Sequence, residues 1–173
     1  MKSLIDFGNS AKVCLTILVA LITHSLVAQE RKPDSLYHFC FFPKTSFIVG
    51  LAAPYSSELQ KAGINARLYY NANEKFCFGP EFSFFKEGAQ ELWDVNIVMH
   101  YIFNVKWIGI YPVAGANYSH KQESQVEESG FGVILGAGVH RNFKKLTTFM
   151  EYASVRGKLN DQFLTIGFYY KLR

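Results

Sequence analysis

"FCFGPEFSFF", Phe76 to Phe85, decides the fold. Phe76, Phe78, Phe82 and Phe84 fall on one parity, with Pro80 among them. Cys77, Gly79, Glu81 and Ser83 fall on the other. A β-strand sends alternate side chains to opposite faces, so one face is a wall of phenyl rings and the other carries a carboxylate. A soluble sheet would bury the rings and show Glu81 to water. A membrane barrel would show the rings to lipid and enclose Glu81.

The same alternation recurs from Lys44 onward in eight runs. Ile64, Ala66, Leu68 and Tyr70 oppose Asn65, Arg67 and Tyr69. Trp93 to Phe103 opposes Asp94, Asn96 and His100. Ile108 to Tyr118 opposes Tyr111 and Asn117. Phe131 to Val139 opposes three glycines and His140. Period-two patterning over several residues marks strands with unlike faces. The content of 16 Phe, 10 Tyr and 13 Gly suits a sheet. No helical period longer than a turn follows residue 43. The expected fold is all-β: one eight-stranded antiparallel up-and-down transmembrane β-barrel over 44–173.

The breaks between runs differ in length. Residues 54–61, 86–90, 119–129 and 155–162 read as longer loops. Residues 71–73, 104–106 and 142–145 read as tight turns. Long loops at one end and short turns at the other are expected of an outer-membrane barrel. Pro80 and Pro112 each remove a ladder donor, so a bulge or a missing bond is expected at both.

Aromatic residues on the apolar parity sort to both ends. Tyr70, Phe76, Tyr101, Phe103, Phe168 and Tyr170 lie toward the tight turns. Phe84, Trp93, Tyr118, Phe131 and Tyr152 lie toward the longer breaks. Two aromatic girdles around an aliphatic band match the two interfaces of a bilayer. The opposite parity holds Arg67, Glu81, Asp94, Asn96, His100, Tyr111, Asn117, Glu151 and Lys171 among small residues. That mixture suits a narrow lumen filled by side chains. Buried charges need partners, and Arg67 is placed to pair with Glu81 or Glu151.

Residues 1–28 read as a secretory signal peptide. Lys2 and Lys12 precede an apolar run, Val13 to Val27, and Ala28 closes it. The run is short for a spanning helix of about 20 residues. Residues 29–43 read as a short lead-in. Of the three cysteines, Cys40 and Cys77 then remain, and the envelope is oxidising. The sequence leaves open whether they form a disulfide or stay as two thiols.

With charged residues at 18% and a formal charge of +4, no basic block suggests nucleic acid. His100, Asp94, Ser83 and Glu151 would face a filled lumen that admits no substrate. Ser119 and His120 are adjacent on a strand and point to opposite faces, so they cannot act as nucleophile and base. The histidines share no metal-ligand spacing. No catalytic, metal or cofactor-binding residue is therefore assigned. The polar stretch 119–129 is a candidate loop for an unknown extracellular partner.

"INARLYYNANEKFCFGPEFSFF", "IGIYPVAGANYS", "FGVILGAGVHRNF" and "FLTIGFYYKLR" carry a resemblance. Over Lys44 to Arg173 the chain resembles small outer-membrane β-barrels of the Bacteroidota type, within the OmpA- and OmpX-like superfamily. The resemblance implies the cell outer membrane, membrane lipid and the barrel-insertion machinery as surroundings, and a monomer. It implies a non-enzymatic structural or surface-interaction role with a plugged interior. Alternatives are a narrow pore for small solutes, or a secreted soluble barrel with its rings inward around an apolar ligand.

Overall fold

The computed structural model describes residues 42–105, 107–123, 126–143 and 145–172. The expected signal peptide, nearly all of the lead-in, and Cys40 lie outside the described residues. Ten strands follow in chain order: β1 (Ser46–Ser56), β2 (Lys61–Ala62), β3 (Ile64–Asn71), β4 (Phe76–Glu87), β5 (Gln90–Tyr101), β6 (Phe103–Val105), β7 (Ile108–Glu123), β8 (Val126–Phe143), β9 (Leu146–Gly157) and β10 (Asp161–Lys171). Every pairing is antiparallel and joins neighbours. β10 returns to β1 over Ile48↔Lys171 to Ser56↔Phe163, which closes the sheet.

Ten strands make eight staves, because two staves are interrupted. β2 and β3 pair β1 in one unbroken register across Gly63, which lies opposite Pro54. Pro54 cannot donate, but its carbonyl still accepts from the Gly63 amide at 2.7 Å. β5 and β6 likewise pair β7 in one register across Ile102. That gap sits beside Pro112, which lies opposite Tyr101 and has no amide to donate, while the Ile102 amide faces β4 and donates to Lys75 O at 2.7 Å. Pro80 has the same effect. The β3–β4 ladder lapses between Arg67↔Glu81 and Tyr70↔Phe78, while β4–β5 is continuous. Both expected defects are therefore missing bonds without a slip. A one-residue slip would have exchanged the two faces.

The opening stretch has the rings of Phe76, Phe78, Phe82 and Phe84 outside and only that of Phe85 inside. Phe78 and Phe82 are 43% and 47% exposed, and Glu81 is 4% exposed. The same parity holds around the barrel, with Leu51, Ile97, Val133, Leu135 and Ile166 outside and Ile48, Tyr69, Val98, Val113, Ile134 and Tyr169 inside. A barrel with its rings turned inward is ruled out by this register.

The connections differ from the sequence expectation. Residues 86–90 form a tight turn through Gly88, whose φ of 58° is the left-handed conformation glycine tolerates. Residues 119–129 are mostly paired strand, not loop. The ladder runs from Ser119↔Gly130 to Glu123↔Val126. On the β8 side it reaches past the rest of the barrel, since β9 first meets β8 at Gly132↔Gly157. On the β7 side β5 keeps pace to the tip at Gln90↔Glu123, so this end is uneven because β8 overhangs β9, rather than because four long loops are present.

Candidate functional site

The lumen is filled in layers. Its centre is Arg67, on β3 and directly opposite Glu81 on β4. The guanidinium donates from Nη1 to Glu151 Oε2 and from Nη2 to Glu151 Oε1, both at 3.1 Å. Nη1 lies 3.4 Å from Glu81 Oε1. Nε donates to Asn65 Oδ1 at 2.6 Å, and Nη1 to the Tyr169 hydroxyl at 3.1 Å. Tyr69 donates to Glu81. Glu151 crosses the lumen from β9, so Arg67 bridges two carboxylates on opposite walls. The planar fork of arginine is the side-chain shape that can do this bidentately. The ring of Phe149 lies 4.6 Å from the guanidinium carbon.

Toward the tight-turn end the lumen is closed by aromatic side chains. Phe149 stacks on Tyr169 at 4.2 Å, and Tyr69, His100 and Tyr111 follow at ring spacings of 4.9 and 4.8 Å. Tyr111 leads to His140 at 5.5 Å, and His140 to Phe42 at 5.2 Å. Phe42 is buried, so the last residues before the barrel cap this end of the lumen. Space for the rings comes from glycine. A Cβ on Gly138 would lie 2.4 Å from the Tyr111 ring, and one on Gly50 would lie 2.7 Å from Tyr169.

Toward the other end the lumen is polar and then open. Ser119 donates to Asp94 Oδ1, Asn117 Nδ2 to Asn96 Oδ1 at 2.7 Å, and Asn65 Nδ2 to Ser83 Oγ at 2.8 Å. Above them Phe85 stacks on Phe163 at 5.5 Å. The connection after β1 folds inward and is pinned by Asp161. That carboxylate accepts from Ser56 Oγ at 2.5 Å, Ser57 Oγ at 3.2 Å and the Glu58 amide at 3.0 Å. Leu59 is buried beneath it. A vestibule of about 270 Å³ opens here, bounded by Leu59, Leu92, Asp94, Lys158 and Phe163 among others. On the rim Lys61 pairs with Glu87 at 2.8 Å. The hydrogen bond and charge of Glu87 raise the lysine above its ordinary pKa.

The structure places Arg67, Glu81, Asp94, Asn96, His100, Tyr111, Asn117 and Glu151 in the lumen, in two connected groups around Arg67 and Asp94. Lys171 is only half-buried at the tight-turn mouth, 5.6 Å from the Phe42 ring. Ser83 and Asp94 are hydrogen-bonded to amides and a hydroxyl, away from His100. They form no catalytic set. Cys77 is a free buried thiol with Sγ 3.7 Å from His100 Nδ1, and Cys40, the other half of the disulfide considered above, lies outside the described residues. The girdle residues all face outward, and several touch. Trp93, Tyr118 and Phe131 are spaced 5.6 and 5.0 Å at one rim, and Phe47, Tyr70 and Phe78 are spaced 5.2 and 5.8 Å at the other.

Sequence reasoning missed the interior rings Phe85, Phe149 and Phe163, and the rim residue Trp107, whose ring lies 5.9 Å from the Arg141 guanidinium. The signal for Phe149 and Phe163 was their shared parity with Glu151 and Thr165.

No protein-family model matches the chain, and no curated protein matches it. Solved structures do. The N-terminal β-barrel domain of Pseudomonas aeruginosa OprF superposes with a TM-score of 0.66 at 11% identity, covering 76% of this chain and 100% of that one. Neisserial surface protein A gives 0.55 at 15% identity, covering 73% and 97%. Ail, the attachment invasion locus protein of Yersinia pestis, gives 0.54 at 16% identity, covering 73% and 97%. The chain has the fold of a small outer-membrane β-barrel. Ail has also been solved in complex with the heparin analogue sucrose octasulfate.

Proposed function

We propose that the protein is an integral outer-membrane barrel, exported by a leader over 1–28 that is removed, and that it performs no catalysis. In this reading a lipid-facing belt holds a plugged cylinder, and the projecting β7–β8 hairpin meets a partner outside. The observation that carries the reading is the outer face. Apolar side chains cover it on every stave, up to Phe131 at 78% exposure, while Arg67, Glu81 and Glu151 are paired within. Soluble monomers rarely leave contiguous apolar patches beyond a few hundred Å². A closed barrel is one of two architectures that satisfy every backbone group in lipid.

The filled Arg67 layer and the aromatic cap favour a plug over a pore. The hairpin favours interaction over simple anchoring, because its β8 arm overhangs β9 and is exposed on both parities over Val126 to Glu128. Glu123, Glu127 and Glu128 are exposed there, with Lys121 half-buried between them. That acidity suits a basic protein surface better than a sulfated polyanion of the kind bound by Ail. The sequence resemblance to Bacteroidota barrels is part of the same proposal.

The deciding experiment replaces Ile97, mid-stave and outward, by arginine. In lipid vesicles Ile97→Arg should cost about 2–4 kcal/mol of folding stability. A wild-type protein that stays in aqueous buffer without detergent, or an Ile97→Arg variant as stable as wild type in vesicles, refutes the membrane reading. Steady conductance of the wild-type protein in a planar bilayer refutes the plug.

A further inference from the structure

We infer that the vestibule at the hairpin end is a binding site for a small organic cation, an alkylammonium whose charge docks on Asp94. The inference does not depend on which side of a membrane this end faces.

Asp94 is 1% exposed, yet it lines the vestibule. Its Oδ1 accepts from Ser119 and, at 3.5 Å, from Asn117. Its Oδ2 has no hydrogen-bond partner among the described residues. Asp94 also has no ion-pair partner among them, in contrast to Arg67, Glu81 and Glu151. A buried carboxylate without a counter-charge is costly, so the site favours any cation that reaches it.

The nearby amines are committed elsewhere. Lys158 Nζ donates to Ser129 O at 2.9 Å. Lys121 lies between Glu58 and Glu123, at 3.8 and 3.7 Å. Asp161 is saturated by the hydroxyls and amide that pin the inward-folded connection. The vestibule walls carry four carboxylates against those two amines, which leaves the cavity negative. Asp94 Oδ2 is thus the one buried side-chain acceptor of that lining with no partner among the described residues.

The remaining lining selects the ligand class. Leu59, Leu92 and Phe163 give the cavity an apolar side next to the carboxylate. Among the described residues no three His, Cys, Asp or Glu side chains converge as a metal site. One carboxylate beside an apolar wall fits a primary ammonium with a short alkyl tail. A divalent ion would want several oxygen ligands. About 270 Å³ accommodates a four-carbon amine with room for water.

The test titrates n-butylammonium chloride into the purified full chain in zwitterionic detergent by calorimetry, against a detergent blank. Butan-1-ol, sodium butyrate and calcium chloride are run in parallel. Saturable binding of butylammonium is expected, roughly tenfold or more tighter than butanol or butyrate, the order of one charge-assisted hydrogen bond. Asp94→Asn retains an acceptor for Ser119 and should weaken butylammonium by roughly the same factor. Its fold is checked by heat-modifiable migration. Butanol binding as well as butylammonium, calcium binding in preference to it, no saturable heat, or equal affinity in a folded Asp94→Asn protein each overturns the proposal. Should Asp94→Asn fail to fold, the wild-type ranking alone decides.

Discussion

Removing the Arg67 guanidinium is the severest single perturbation the lumen offers. In Arg67→Met a chain of similar length fills the space, but Glu81 and Glu151 lose their shared cation. Both carboxylates have side chains 3% exposed, so water does not replace it. Three nitrogen–oxygen contacts of 3.1, 3.1 and 3.4 Å disappear together. Charges about 4 Å apart at an effective dielectric of about 20 attract by about 4 kcal/mol. Two such attractions are opposed by the desolvation of three ions and by repulsion between the glutamates. The expected net loss is therefore about 3–5 kcal/mol, the usual result of breaking a buried pair from one side. Urea unfolding of the vesicle-embedded barrel, followed by the folded band on an unheated gel, measures it. The triple variant Arg67→Met, Glu81→Gln, Glu151→Gln removes the stranded charges and should recover about 2 kcal/mol or more. The electrostatic account of the lumen is refuted by a single variant within about 1 kcal/mol of wild type, or a triple variant less stable than the single.

Asp161→Ala should free the connection after β1. The amides of Glu58 and Leu59 should then exchange with deuterium at least tenfold faster, at a global cost of about 1–3 kcal/mol; unchanged exchange would show that the Asp161 bonds do not hold it. Gly138→Ala forces a methyl against the Tyr111 ring, and about 1–3 kcal/mol of stability should be lost in the same urea assay. A neutral result would mean that the ring has room to move. In a Cys14→Ser, Cys40→Ser background, Cys77, buried and free, should resist a membrane-permeant maleimide in the folded barrel and react once the barrel is unfolded. Prompt labelling of the folded protein would show a lumen that opens.

The parts of this structure legible in the sequence are those set by strand alternation. Which side chains of 76–85 point outward follows from parity once the outside is known, and the rim-sorted aromatics identify the outside. Arg67 and Glu81 oppose each other across one hairpin, so their proximity is a local property. Glu151 is not local. It reaches Arg67 from β9, on the other side of the lumen, and its height depends on the stagger with which the barrel closes. The polar stretch 119–129 was misread as a loop for a physical reason. At the outer end of this hairpin the side chains are mostly polar on both parities, and Val126 to Glu128 are all exposed, so alternation loses its hydrophobic contrast while the ladder continues. Phe84 and Phe85 are consecutive rings facing opposite ways, and parity alone cannot show that the inward one stacks on Phe163.

Pro80 sharpens what the opening stretch requires. It sits outward on the stave whose pattern is clearest, and the ladder to β3 lapses at Leu68 and Tyr69. An open gap in lipid would leave a carbonyl unpaired, which is costly there. The neighbouring glycine bears on that gap. A Cβ on Gly79 would lie 2.0 Å from Leu68 O, so the carbonyl approaches the Gly79 backbone more closely than any other residue would allow. A Cα–H···O contact there is weaker than an amide bond but keeps the strands together. The pair Gly79–Pro80 thus costs one donor without costing register. The constant register is what keeps Glu81 on the lumen side, beside Arg67, and the phenyl rings on the outside.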